Sequence, residues 1–203
     1  MSTGPVYVSG AVEGPTDEAV LTRIVRAAGG SVYRVYGKHG KAELKRALPG
    51  YNSAARFQPW VVIVDLNHEA NCAPPLLRML LPDPAPQMRL RIAIREVEAW
   101  LIADSERVAR FLHIRQSAVP TDPEALTDPK LSLVDLARQS RVRAIREDLV
   151  PRPGSGRAVG SAYASRLIEF VNDDVAGWRP NVAARTSESL ERCLRAVHSL
   201  VRG

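Results

Sequence analysis

Trp60-Val61-Val62-Ile63-Val64-Asp65 is a short apolar run closed by an acid, and its reading decides the fold. A strand that is hydrophobic at successive positions is buried on both faces, as happens in a parallel sheet layered between helices. Working outward, Val6 to Val12 reads as another strand, which runs out into Glu13-Gly14-Pro15-Thr16-Asp17. Thr16 is placed to cap a helix whose Val20, Leu21, Ile24, Val25 and Ala28 share one face, with Asp17 and Glu18 favourable in its first turn. Gly29-Gly30 ends that helix, Ser31 to Tyr36 reads as a second strand, and Lys41 to Leu48 as a short helix before the Trp60 run.

Downstream, Pro74 and Pro75 open a helix through Leu81, and the prolines at 82, 84 and 86 enforce a loop. Leu90 to Ile94 makes a fourth strand, followed at once by the helical stretch Glu96-Val97-Glu98-Ala99-Trp100-Leu101-Ile102-Ala103-Asp104. The alternation predicts an α/β fold with a mostly parallel, four-stranded sheet flanked by helices over residues 1–112. Strand signals then fade, so 113–203 reads as a mainly helical C-terminal region packed on that core. Its helical patterns cover Leu131 to Ala137, Val159 to Val171 and Ser187 to Val201. The stripe Leu190, Leu194, Val197 and Val201 in the last of these is explained most simply by packing on its own domain.

Bulk properties narrow the class. Of 203 residues, 45% are hydrophobic and 25% charged, the balance of a globular protein. The longest apolar runs are far too short to span a bilayer, and Met1 to Pro5 lacks the pattern of a secretory signal. Cys72 and Cys193 stand far apart in no metal or redox spacing, which predicts free thiols in a reducing cytoplasm. The net charge of +6 permits nucleic-acid binding without requiring it. It gathers locally in Arg34, Lys38, Lys41, Lys45 and Arg46, and again in Arg138, Arg141, Arg143 and Arg146; solvated helix faces are the simpler reading of such clusters.

Chemistry is expected where strands end, because open α/β sheets bind ligands at the carboxyl edge. Glu13 and Asp65 both lie there, and Glu96 or Glu98 begins a helix at the same edge. Magnesium is small and hard, prefers six oxygens at about 2.0 to 2.1 Å, and is often held by one or two carboxylates plus substrate phosphate. Two or three acids therefore suffice for a cation site. Glu98 fits either a further ligand or a general base, whereas Asp104 fits a cap for the helix at Ser105, and Trp100 a core anchor. Lys38, His39 and Lys41, in a basic loop after the second strand, are candidates for nucleic-acid phosphate contact, and His68 neighbours the Asp65 loop.

Val12-Glu13-Gly14-Pro15-Thr16-Asp17, the acid after Val61 to Val64, and Glu96 to Asp104 together resemble the blocks of domain of unknown function family 4276, itself similar to the Toprim proteins. Further matching stretches are Asp128-Pro129-Lys130, Gly160-Ser161-Ala162-Tyr163 and Thr186 to Arg192, so the resemblance covers nearly the whole chain. It implies a Toprim-like nuclease of the overcoming-lysogenization-defect type, hydrolysing DNA or RNA with Mg²⁺ or Mn²⁺. Glu13 would be the glutamate and Asp65 the first aspartate of the metal set. The second aspartate is replaced by Asn67, which brings a carbonyl ligand without charge unless Glu69 substitutes, and Asn71 likewise stands where the family pattern has an acid. The alternative is a noncatalytic Toprim-like module that binds nucleic acid or protein. The resemblance also implies a possible ATPase partner in bacterial defence.

Overall fold

The computed structural model describes residues 4–67 and 72–203. Four strands, β1 (Tyr7–Val12), β2 (Ser31–Gly37), β3 (Trp60–Asp65) and β4 (Met88–Ala93), form one sheet in the order β2-β1-β3-β4. All three pairings are parallel, so the mostly parallel sheet expected from the sequence is wholly so. Between the strands run α1 (Pro15–Ala27), α2 (Lys41–Ala54) and α3 (Ala73–Leu80). After β1 the chain moves outward to β2, then returns to the other side of β1 for β3. The strand order therefore reverses between β1 and β3, and Glu13 and Asp65 stand at their carboxyl ends.

Alternation along the strands sorts the core into two layers. Trp60, Val62 and Val64 of β3 join Ala11, Leu44, Leu48, Leu76, Leu90 and Ile92 on the face covered by α2 and α3. Val61 and Ile63 point the other way, to Val8, Val12 and the Val20, Leu21, Ile24 and Val25 stripe of α1. α2 outruns the helix expected to stop at Leu48. It continues past Pro49 because Leu48 is buried and Tyr51 stacks on Trp60, with centroids 5.0 Å apart, which offsets the hydrogen bond that proline removes.

The second layer is shared with the C-terminal half. That half comprises α4 (Val97–Ile102), α5 (Ser105–Leu112), α6 (Pro129–Arg138), α7 (Arg143–Leu149), α8 (Tyr163–Asn172), α9 (Pro180–Ala183) and α10 (Glu188–Arg202). Trp100, Leu133, Leu167, Trp178, Leu190 and Val197 are buried in the same cluster as α1 and β3. The apolar stripe of α10 thus packs within the chain. Cys193 is buried on it, its thiol pushed up to about 12 by burial, while Cys72 is exposed; both are free. Among the described residues no helix is long and apolar enough to cross a membrane.

Trp100 is fully buried, donating its indole N–H to Ser189 Oγ at 2.7 Å, while its carbonyl takes the indole N–H of Trp178 at 2.9 Å. Glu124 accepts from the hydroxyls of Ser187 and Ser189 at 2.6 Å each, which ties the start of α10 to the turn at Pro123–Ala125, while the Trp100 bond to Ser189 ties it to α4. Asp104 caps α5 and receives Arg179 through Nε at 2.9 Å and Nη2 at 2.7 Å. Both Trp100 and Asp104 are therefore structural.

Losing a partner of a buried ion pair strands the other charge in a medium that solvates it poorly. Arg179→Ala is accordingly expected to lower unfolding free energy by about 3 kcal/mol in urea titrations. Arg143→Ala, which breaks the exposed pair with Glu147, is expected to leave it almost unchanged. Equal effects would refute the structural role of Asp104.

Candidate functional site

Glu13 is positioned by the way β1 and β2 end together. Gly37 has φ +83, and a β-carbon there would lie 2.3 Å from the Val12 carbonyl oxygen, so only glycine allows this approach. The N–H groups of Lys38 and Gly40 then donate to the carbonyls of Val12 and Glu13 at 2.9 and 3.0 Å. With its backbone held, Glu13 reaches across the switch point, and its Oε1 accepts the Asp65 N–H at 2.9 Å.

The expected Thr16 cap is replaced. Gly14 occupies the N-cap position of α1, and Asp17 folds back so that its Oδ2 accepts the Gly14 N–H at 2.7 Å. Pro15 takes the first helical position and moves the start of the helix ahead of Thr16. Asp17 is thereby buried beside Glu13, and its part in the site was not visible in the sequence.

Asp65 joins three other elements. Its Oδ1 accepts the N–H of Val97, the first residue of α4, at 3.1 Å; its N–H goes to Glu13; and its carbonyl accepts Lys41 Nζ from the start of α2. Glu98 follows on α4, buried, accepting the Tyr163 hydroxyl at 3.2 Å with Lys130 Nζ 3.6 Å away. Glu96 accepts both the backbone N–H of Lys130, at 3.0 Å, and its Nζ, at 3.2 Å. The first turn of α6 is thus pinned to the carboxylate cluster.

Burial and like charge make these acids hard to ionise. Asp65 is raised well above the usual carboxylate range by burial, then by Asp17, Glu98, Glu13 and Glu96. Asp17 is raised to about 7 by burial and then Glu98, with the Gly14 hydrogen bond opposing. Glu98 is raised by burial despite Lys130 beside it. For Lys130, burial opposes the charge, but Glu98 and Glu96 outweigh it and hold the ammonium above the ordinary lysine range. Tyr163 is also raised well above its usual value, by burial and by Glu98.

The carboxylates of Glu13, Asp17, Asp65, Glu96 and Glu98 therefore share one neighbourhood, with the Lys130 ammonium at Glu96 and Glu98 and the Lys41 ammonium at the Asp65 carbonyl. Such an all-oxygen, negatively charged donor set fits a hard divalent cation such as Mg²⁺ or Mn²⁺. No group of three or more His, Cys, Asp or Glu side chains among the described residues is gathered as ligands around one point. The fit thus rests on charge and donor chemistry. No family model, no curated protein and no solved structure matches this chain.

The structure brings Glu13, Asp65 and Glu98 within electrostatic reach of one another. Asn67 follows Asp65 with φ 49, and its backbone is fixed by Arg95, whose carbonyl takes its N–H at 2.8 Å and whose Nη1 donates to its carbonyl at 2.9 Å. Glu69, His68 and Asn71 lie outside the described residues. Of the basic loop, Lys41 turns to Asp65, Lys38 pairs with Glu18 at 3.2 Å, and His39 is exposed. Lys130 and Tyr163 lie in two of the stretches that carry the family resemblance, and their contacts with Glu98 give them a role that the residue pattern does not.

An acid that is harder to ionise when folded binds its proton more tightly in the folded state. Its contribution is fully present below the unfolded value near 4 and is lost as pH rises through the folded value of about 7. In EDTA, the melting temperature should therefore fall by roughly 5 °C or more between about pH 5 and pH 8. Asp17→Asn should flatten much of that slope. Differential scanning fluorimetry showing a flat or rising profile for the unsubstituted chain would contradict the crowding of these acids.

Proposed function

We propose that this protein is a Toprim-like phosphodiesterase that hydrolyses DNA or RNA with Mg²⁺ or Mn²⁺. The observation that carries the reading is the crowding of the buried Asp17, Asp65 and Glu98 carboxylates at the switch point, all raised first by burial. A fold tolerates such crowding when a proton or a cation offsets it. The resemblance of the Glu13, Asp65 and Glu98 stretches to the blocks of domain of unknown function family 4276, itself similar to Toprim proteins, supports the same reading.

Glu13 and Asp65 would hold the ion, with the Asp17 carboxylate adding negative charge beside them. Such an ion would supply Lewis acidity for a phosphoryl oxygen and for the activation of water near neutral pH. Lys130 offers a positive charge for the phosphate, and Glu96 and Glu98 orient it. Tyr163 fixes the Glu98 carboxylate by donating its phenolic proton to Oε1. Glu98 thus acts as a positioning residue for Lys130. Lys41, at the Asp65 carbonyl, limits the net repulsion that an incoming phosphate meets.

One observation favours a second reading. Asn67 stands where the resemblance calls for a second aspartate, and its backbone is already committed to Arg95. A noncatalytic Toprim-like module would keep the fold and bind nucleic acid or protein without cleaving it. Pairing with an ATPase, a role in bacterial defence and a cytoplasmic setting belong to the proposal under either reading.

The variants Glu13→Gln, Asp65→Asn and Glu98→Gln keep hydrogen-bond acceptors while removing charge. Incubated with plasmid, single-stranded DNA and RNA, the unsubstituted protein is expected to cleave in Mg²⁺ or Mn²⁺ and not in EDTA. Glu13→Gln and Asp65→Asn should lose at least about 100-fold in rate, and Glu98→Gln about 10-fold. Cleavage that survives EDTA or both of the first two variants would refute the enzyme reading, and binding without any cleavage would establish the module.

A further inference from the structure

Two thirds of the chain's net charge sits in one tenth of its length. Residues 138–157 hold six arginines, Arg138, Arg141, Arg143, Arg146, Arg152 and Arg157, against Glu147 and Asp148, a net +4 of the +6 total. The fold gathers part of this segment around a cleft of about 730 Å³ lined by Arg138, Arg146, Arg152, Pro151 and Ser161 together with both acids. Each of those acids is already neutralised by another arginine. Glu147 pairs with Arg143 and Asp148 with Arg166, both at 2.7 Å. Arg146 is spent on a neutral group, the Ser140 carbonyl, and Arg138 makes an exposed pair with Asp135, the kind that is worth little. Arg152 has no carboxylate partner among the described residues.

The cleft has a fixed wall and a direct connection to the carboxylate cluster. The segment returning from Arg152 is pinned where Gly160 meets α7. A β-carbon on Gly160 would lie 2.1 Å from the Asp148 carbonyl oxygen, and the N–H groups of Gly160 and Ala162 donate to Leu149 and Asp148 at 2.9 and 3.1 Å. Ser161 lines the cleft, and two residues later Tyr163 donates to Glu98. On the other wall, α6 begins with Lys130 at Glu96 and Glu98 and ends with Arg138 in the cleft. Eight residues of helix separate those ends by about 12 Å.

We propose that this cleft is the track for a single nucleic-acid strand, Arg138, Arg146 and Arg152 binding its phosphodiester backbone so that a neighbouring phosphate lies at Lys130. Guanidinium groups suit this role because they grip phosphate through paired N–H donors without reading base identity. A cleft of about 730 Å³ suits a short stretch of one strand rather than a duplex. The inference rests on the phosphodiesterase reading for its direction, toward the carboxylates, but not for the binding itself.

The test is fluorescence anisotropy with labelled single-stranded DNA and RNA oligonucleotides in EDTA, where nothing is cleaved. Arg138→Gln with Arg152→Gln should weaken binding at least about 10-fold and make the log affinity against log salt slope shallower by about 1.4. Arg56→Gln with Arg202→Gln, an equal loss of charge elsewhere, should change affinity less than about twofold. Equal weakening by both arginine pairs, no weakening by the first, or preference for a blunt duplex would overturn the assignment. Arginine-dependent binding with no metal-dependent cleavage would uphold the cleft and sink the enzyme reading. Metal-dependent cleavage lost in Glu13→Gln but indifferent to Arg138 and Arg152 would do the reverse.

Discussion

Asp65 is the knot on which the site is tied. A single residue at the end of a buried strand engages β1 through its N–H, α4 through its carboxylate and α2 through its carbonyl. These contacts set the spacing of Glu13, Val97 and Lys41 around the place where the strand order reverses. The cost is a carboxylate sunk among other carboxylates, since Asp17, Glu98, Glu13 and Glu96 all oppose its ionisation. Conformational precision and electrostatic tension thus arise from the same residue.

The C-terminal half is what makes that tension tolerable. Lys130 and Tyr163 come from α6 and α8, outside the strand-and-helix alternation, yet they contact the acids of α4 directly. Glu96 and Asp128 both accept N–H groups at the start of α6, where carboxylates also favour the helix dipole. α6 therefore delivers a cation to one end of the site while its far end carries Arg138 into the basic cleft. Because the same hydrophobic cluster unites α1, α4 and the later helices, displacement of one is expected to disturb the whole arrangement.

Sheet class and the main acids were legible because burial writes directly into local pattern. A six-residue strand hidden on both sides reads as an unbroken apolar run, and an acid at its end has no apolar reason to be there. Helix ends were less legible. Pro49 and Thr16 each carry a local signal, for stopping and for capping, that tertiary packing and Pro15 overrode. The partners of Glu98 could not be read at all from residue patterns, since Lys130 and Tyr163 lie far along the chain and are ordinary residues in ordinary helices. Asp17 was visible, but as a favourable first-turn acid. Its crowding exists only once β1, β3 and α4 have brought their carboxylates together.

The central claim is that these acids hold protons which a divalent cation displaces, and titration calorimetry with Mn²⁺ in buffers of different ionisation enthalpy measures that exchange directly. Binding should tighten as pH rises and should release about one proton or more near pH 6.5, with fewer released near pH 8. Absence of Mn²⁺ binding at millimolar concentration, or binding that releases no proton at either pH, would contradict the account.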